Sequence, residues 1–167
     1  METTEIFGLQ FVLSLLVVGL IGRWYVAPWL SEKSLNLALG ILILPHAFRH
    51  LGLTFLTPAV VGADMPASFA ISAGYGDFVS GLLAILALVA LRQNWKMGLG
   101  VVWLFSIVGT ADLLNALRQA EAVPHFAAAW FIPTFVVPIL LISHVMIYAR
   151  LLRDRSEKAQ LQRSSAA

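Results

Sequence analysis

Five apolar stretches divide this chain almost from end to end, each near the roughly 20 residues that cross a bilayer as a helix. They run from about Ile6 to Leu20 (with an extension towards Trp29 past a break near Pro28), Leu35 to Leu56, Phe69 to Leu91, Met97 to Leu117 and Phe126 to Leu152. Between them stand Ser31-Glu32-Lys33, Thr57-Pro58, Arg92-Gln93-Asn94 and Glu121-Ala122-Val123-Pro124, residues that punctuate helices. In hydrocarbon each backbone N–H and C=O must be satisfied within the segment, so stretches of this kind fold as helices. The expected class is all-α, an integral membrane bundle of five transmembrane helices.

Composition speaks against a soluble alternative. Hydrophobic residues make up 59% of the 167, and charged residues only 12%, against about 25% in a soluble domain. A soluble domain of this size still exposes much of its surface, so it could not hide so much apolar area. Residues 1–152 are expected to form one transmembrane domain and residues 153–167 a short charged tail. No internal repeat and no dividing linker is evident. The start, Met-Glu-Thr-Thr-Glu, lacks the positive charge that opens a signal peptide, so the first stretch reads as a retained span. There is no cysteine, which excludes disulfides, thiolate zinc sites and Cys-held iron–sulfur clusters.

Orientation follows from the basic residues. Arg23 and Lys33 follow the first stretch, Arg92 and Lys96 the third, and Arg150, Arg153, Arg155, Lys158 and Arg163 the fifth. With five spans all nine fall on one side, which the positive-inside rule makes cytoplasmic. The expected topology has the N-terminus outside and the C-terminus cytoplasmic. Trp24, Tyr25, Trp29 and Trp95 then fall at inner ends and Trp130 at an outer end, as interfacial aromatics do. The expected setting is a multi-pass protein of a bacterial inner membrane. The tail reads as a solvated helical end, or more sharply as a docking element for a cytoplasmic partner or anionic lipid. Because topology accounts for the basic residues, nucleic acid is not an expected partner; lipid is, together with a second copy or a membrane-complex subunit.

Function points to the charges at bilayer depth, where each is costly unless paired or hydrated. Within Pro45-His46-Ala47-Phe48-Arg49-His50, an α-helix at about 100° per residue gathers His46, Arg49 and His50 into one polar stripe. Asn36 and Thr57 fall near the same face, and Leu44, Leu51 and Phe55 lie opposite. The third stretch places Asp77 in a seam of small residues, Gly74, Ser80, Gly81 and Ala84, which allow close helix approach. Asp112 and Asn115 share a side of the fourth with Phe105, Gly109 and Ala116. His144 and Tyr148 sit one turn apart on the fifth, where Pro133 and Pro138 free carbonyls that can line a cavity.

Depths counted at about 1.5 Å per residue place His46 level with Asp77 in the outer half, and His50 and Asp112 nearer the outer surface. They place His144 about 10 Å deeper. Arg49 keeps its charge and needs a carboxylate, Asp77 or Asp112. The other acid is then left over beside His46 and His50.

Three function classes follow. The first is a binding or translocation site for a small solute, an ion or protons, opening outwards and built from His46, Arg49, His50, Asp77, Asp112 and Asn115. The second is a redox protein holding a metal ion through His46, His50 and Asp77, or haem through His46 and His144; the depth difference weighs against the haem pair. The third is a non-catalytic subunit or assembly factor in which the ion pair is structural. There is no HExxH, P-loop or dinucleotide fingerprint and no serine–histidine arrangement, so an enzyme is the weakest expectation.

Overall fold

A computed structural model describes residues 1–165. The described residues form six α-helices, α1 (Thr3–Ile21), α2 (Ala27–Ser31), α3 (Leu35–Ile43), α4 (Ala67–Arg92), α5 (Gly98–Leu117) and α6 (Val137–Ser165). Together with the 3-10 and π turns that continue them, they make five helical stretches long and apolar enough to cross a membrane: Thr3–Ser31, Leu35–Leu56, Ala67–Arg92, Gly98–Leu117 and Ala127–Ser164. These are spans one to five. The last helix continues well beyond Leu152, so the charged tail as far as Ser165 is helical; Ala166 and Ala167 lie outside the described residues.

Departures from regular α-helix occur where proline interrupts the ladder, because its ring lacks an N–H and crowds the preceding turn. Span one passes through a π turn, Gly22–Val26, just before Pro28. Span five enters through a 3-10 turn, Ala127–Trp130, and a π turn, Ile132–Val136, around Pro133. The largest departure is in span two. From Leu44, with Pro45 at its start, the chain runs as a 3-10 helix for 13 residues to Leu56.

Two apolar clusters close the ends of the bundle. One joins Leu39, Leu42 and Ile43 of α3 to Ala84, Ala87, Val102, Phe105, Ile147 and Leu151. The other, at the opposite end, joins Phe55, Phe69 and Ala73 to Ala122, Val123, Phe126 and Ala129. The loops at that end are stitched by backbone hydrogen bonds from Gly62 to His125 (2.8 Å) and from Ala128 to Val60 (3.0 Å). At the first end Arg150 donates to the carbonyls of Leu30 and Lys33, and Asn36 donates to Asn94. Along every inner span, the buried polar side chains fall between the two clusters. Span one is peripheral; α1 contributes no buried residue and is held in part by Trp130 donating to Gln10 at 2.6 Å. Its exposed Leu9, Val12, Leu13, Leu16 and Val17 form a lipid-compatible surface.

Candidate functional site

A 3-10 helix has three residues per turn, so side chains three apart stand in line. The buried residues of Leu44–Leu56 are His46, Arg49, Gly52 and Phe55, and this period sets the site. His50 does not join them. It is exposed, and its Nδ1 lies 3.1 Å from the carbonyl oxygen of Ala47. The expected His46–Arg49–His50 stripe is therefore corrected, because it assumed α geometry across a segment that turns faster. The same correction brings Phe55 onto the face of Arg49, when an α wheel placed it opposite. Asn36, expected on the stripe, is bonded to Asn94 at the end of the bundle.

Arg49 is 3% exposed and spends its guanidinium on three acceptors. Nε donates to Oδ1 of Asp77 at 2.7 Å, Nη2 donates to Oδ2 of Asp112, and Nη1 donates to the carbonyl oxygen of Gly109 at 3.1 Å. The expectation of one paired and one left-over acid is thus corrected as well: the planar fork reaches both, as guanidinium geometry allows. Glycines make the room. A Cβ on Gly52 would overlap the carboxylate of Asp77, and one on Gly76 would overlap that of Asp112. One on Gly109 would crowd Nη1 of Arg49 and Nε2 of His144, each at 2.9 Å. Asn115 takes no part; it is exposed, and its backbone carbonyl accepts from Gln119.

On the side of the triad away from the loops lie two imidazoles. His46 and His144 are 0% and 1% exposed, with ring centroids 4.2 Å apart. Phe105 packs on both, at 5.0 and 5.2 Å, and Tyr148 stacks on His144 while sharing a hydrogen bond with Thr110. None of the four ring nitrogens, nor the buried hydroxyls of Ser80 and Ser106, has a hydrogen-bond partner. The expected depth difference between His46 and His144 is corrected by this contact. The count from Phe126 ignored the left-handed turn at Ala127, whose φ is 45°, and the irregular turns that follow it.

These contacts bear on the metal and haem readings. Two imidazoles in direct ring contact leave no slot for a porphyrin between them, so His46 and His144 do not fit as axial ligands across a haem. His50 faces away from His46, and among the described residues no group of three or more His, Cys, Asp or Glu is placed to hold a metal ion.

On the side towards the loops, Asp77 and Asp112 form the floor of a cavity of about 180 Å³. Its walls are mostly apolar: Phe7 from α1, Phe55, Phe69 and Leu113 from spans two to four, and Phe126 and Pro133 from the approach to α6. The two carboxylate side chains remain 13% and 12% exposed there, while that of Arg49 behind them is 1% exposed. Sequence reasoning missed this cavity. Its phenylalanines carry no polar signature, and the loop around Val123 and Phe126 that closes it looked like mere punctuation.

Five spans fit to cross a membrane, packed round buried Arg, Asp and His side chains, define the class as a polytopic helical membrane protein. Over residues 6–152 the chain matches the family described as a domain of unknown function, DUF8737. The match takes in most of the five-span bundle, and the chain belongs to that family. No curated protein and no solved structure matches it.

Proposed function

We propose that this protein binds a small solute in the cavity above the Arg49–Asp77–Asp112 triad. The observation that carries the reading is the join of an apolar chamber to two carboxylates whose positions are fixed by one buried guanidinium. Largely preformed apolar pockets with a few oriented polar groups are the usual form of ligand sites. Arg49 acts as the positioning residue. It holds one oxygen of each acid, which leaves the second oxygen of each for other contacts. His50 and Asn115, outside the cavity, have no part in this reading, and His46 and His144 support the triad from behind.

The cavity lies at the end of the bundle that carries the start of α1. The placement of the nine Lys and Arg residues favours that end outside and the C-terminus in the cytoplasm. Residues 1–152 then act as one transmembrane domain with an outward-facing site, and residues 153–167 as its cytoplasmic tail. Reporter fusions at the two termini test this; both reporting from one side would overturn it.

Binding itself is tested by thermal unfolding of the purified protein against a panel of small neutral, anionic and cationic solutes. Ala116→Phe, which fills a lining position, is the control. At least one solute is expected to raise the unfolding temperature of the wild type and not of the filled variant. A panel that shifts both equally, or neither, would count against the pocket.

A further inference from the structure

We infer that the solute is a monovalent organic cation with an apolar body, such as a substituted ammonium. This rests on the reading that the cavity binds a solute, and adds the charge and shape of what enters. The first ground is a charge count. One guanidinium faces two carboxylates, so with both acids ionised the triad carries one uncompensated negative charge at side chains only about one-eighth exposed. Such a surplus is neutralised by a proton or by a second cation. The second ground is where the surplus faces. Arg49 is buried, whereas both acids line the cavity.

The third ground is the wall. Phe7, Phe55, Phe69 and Phe126 line the chamber; the Phe126 ring lies 5.4 to 6.0 Å from the other three, and Phe55 lies 5.2 Å from Phe69. Aromatic faces attract ammonium ions through the ring quadrupole, and quaternary ammonium is the ligand type such cages take. An anion would meet two carboxylates. A neutral apolar guest would leave the surplus charge uncompensated.

A proton and the cation compete for the same charge. Of the titratable and charged groups packed round the triad, Arg49 from span two bonds both acids, with His46 from span two and His144 from span five behind it. Span one contributes only Thr4, Phe7 and Gly8 to the chamber, and the closing loop contributes Gln119. Among the described residues, no further cation lines the cavity. Acidification is therefore expected to weaken binding of a permanently charged guest.

The test uses benzyltrimethylammonium and its neutral carbon isostere, neopentylbenzene, with the purified full chain in detergent. The ammonium is expected to bind at least about tenfold tighter than the isostere, which corresponds to about 1.4 kcal/mol. Asp77→Asn and Asp112→Asn each remove the surplus while leaving Arg49 one carboxylate. Each should abolish the preference, with folding checked by the unfolding transition. Equal binding of both guests, displaced by Ala116→Phe, would overturn the cation assignment and leave the pocket reading standing. A preference that survives both Asn variants would overturn it too, since the charge would then lie elsewhere. Binding of neither guest would overturn the cation assignment, and the solute panel would then judge the pocket separately.

Discussion

Replacing Arg49 by methionine should be the most damaging single change in the bundle. Methionine keeps an unbranched stem and removes the charge, so little of the effect is a cavity. What remains are two carboxylates, each about one-eighth exposed, and the carbonyl of Gly109, all without their donor. Stranding one member of a buried ion pair costs about 3–5 kcal/mol, and losing a buried acceptor's partner adds about 1 kcal/mol or more. The sum, about 4–6 kcal/mol, is comparable to the whole stability of many domains.

The triad makes a sharper claim than a pair would. Arg49→Met with Asp77→Asn leaves Asp112 charged and unpartnered, so at most about half of the lost stability should return. Only the triple variant, with Asp112→Asn added, should come within about 1–2 kcal/mol of the wild type, because neutral groups replace all three charges. Reversible unfolding in mixed micelles of SDS and a mild detergent measures each free energy. Full recovery in the double variant would show that Asp112 does not depend on Arg49. A single variant as stable as wild type would refute the buried triad altogether.

Three other outcomes follow from the packing. Gly52→Ala and Gly76→Ala should each lose about 1–3 kcal/mol through overpacking, whereas Gly40→Ala and Gly100→Ala, where an added Cβ meets nothing within 4 Å, should be neutral or stabilising by up to about 1 kcal/mol; the same unfolding assay separates the two groups. His50→Ala should stay within about 0.5 kcal/mol of wild type, as exposed positions do, and a larger loss would restore His50 to the core. The double change His46→Phe with His144→Phe should hold or raise stability, since it removes four buried ring nitrogens without partners, and an unsatisfied buried group costs about 1–3 kcal/mol; a marked loss in the unfolding assay would show that the imidazoles are bonded.

The class of fold was legible in the sequence because bilayer thickness imposes a length on apolar stretches. The expected second stretch, Leu35 to Leu56, coincides with span two. That Arg49 needs an acid, Asp77 or Asp112, was legible from charge alone, since no other carboxylate lies at that depth. The two-acid grip was not. It depends on Gly52 and Gly76 standing where Asp77 and Asp112 need space, and glycine in an apolar stretch reads equally well as a helix seam. The His46–His144 contact was hidden by the irregular entry to span five, which breaks the residue-to-depth conversion. Thr110 and Tyr148, 38 positions apart on spans four and five, carried no signal that they would meet.

The 3-10 segment explains why these pieces lie on one line, and it can be tested directly. In an α-helix three residues advance about 300°, so a face defined by every third residue falls back about 60° at each step. From His46 to Phe55 that is three steps, or about 180°, and Phe55 would point away from the bundle. At three residues per turn the drift vanishes. His46 then meets His144, Arg49 meets both acids, Gly52 admits Asp77, and Phe55 enters the cavity wall. A run of 13 residues is long for a 3-10 helix, whose hydrogen bonds are poorer than those of an α-helix, so tertiary packing must hold it. Tryptophan scanning through Leu44–Leu56 reads the period. Trp should be tolerated at Phe48, His50 and Leu51, which are exposed, and should abolish folding at His46, Arg49, Gly52 and Phe55, which are buried. An α-helix predicts intolerance at His46, His50 and Leu53 with tolerance at Phe55. That second pattern would refute the 3-10 register, and with it the placement of the aromatic wall directly above the charged floor.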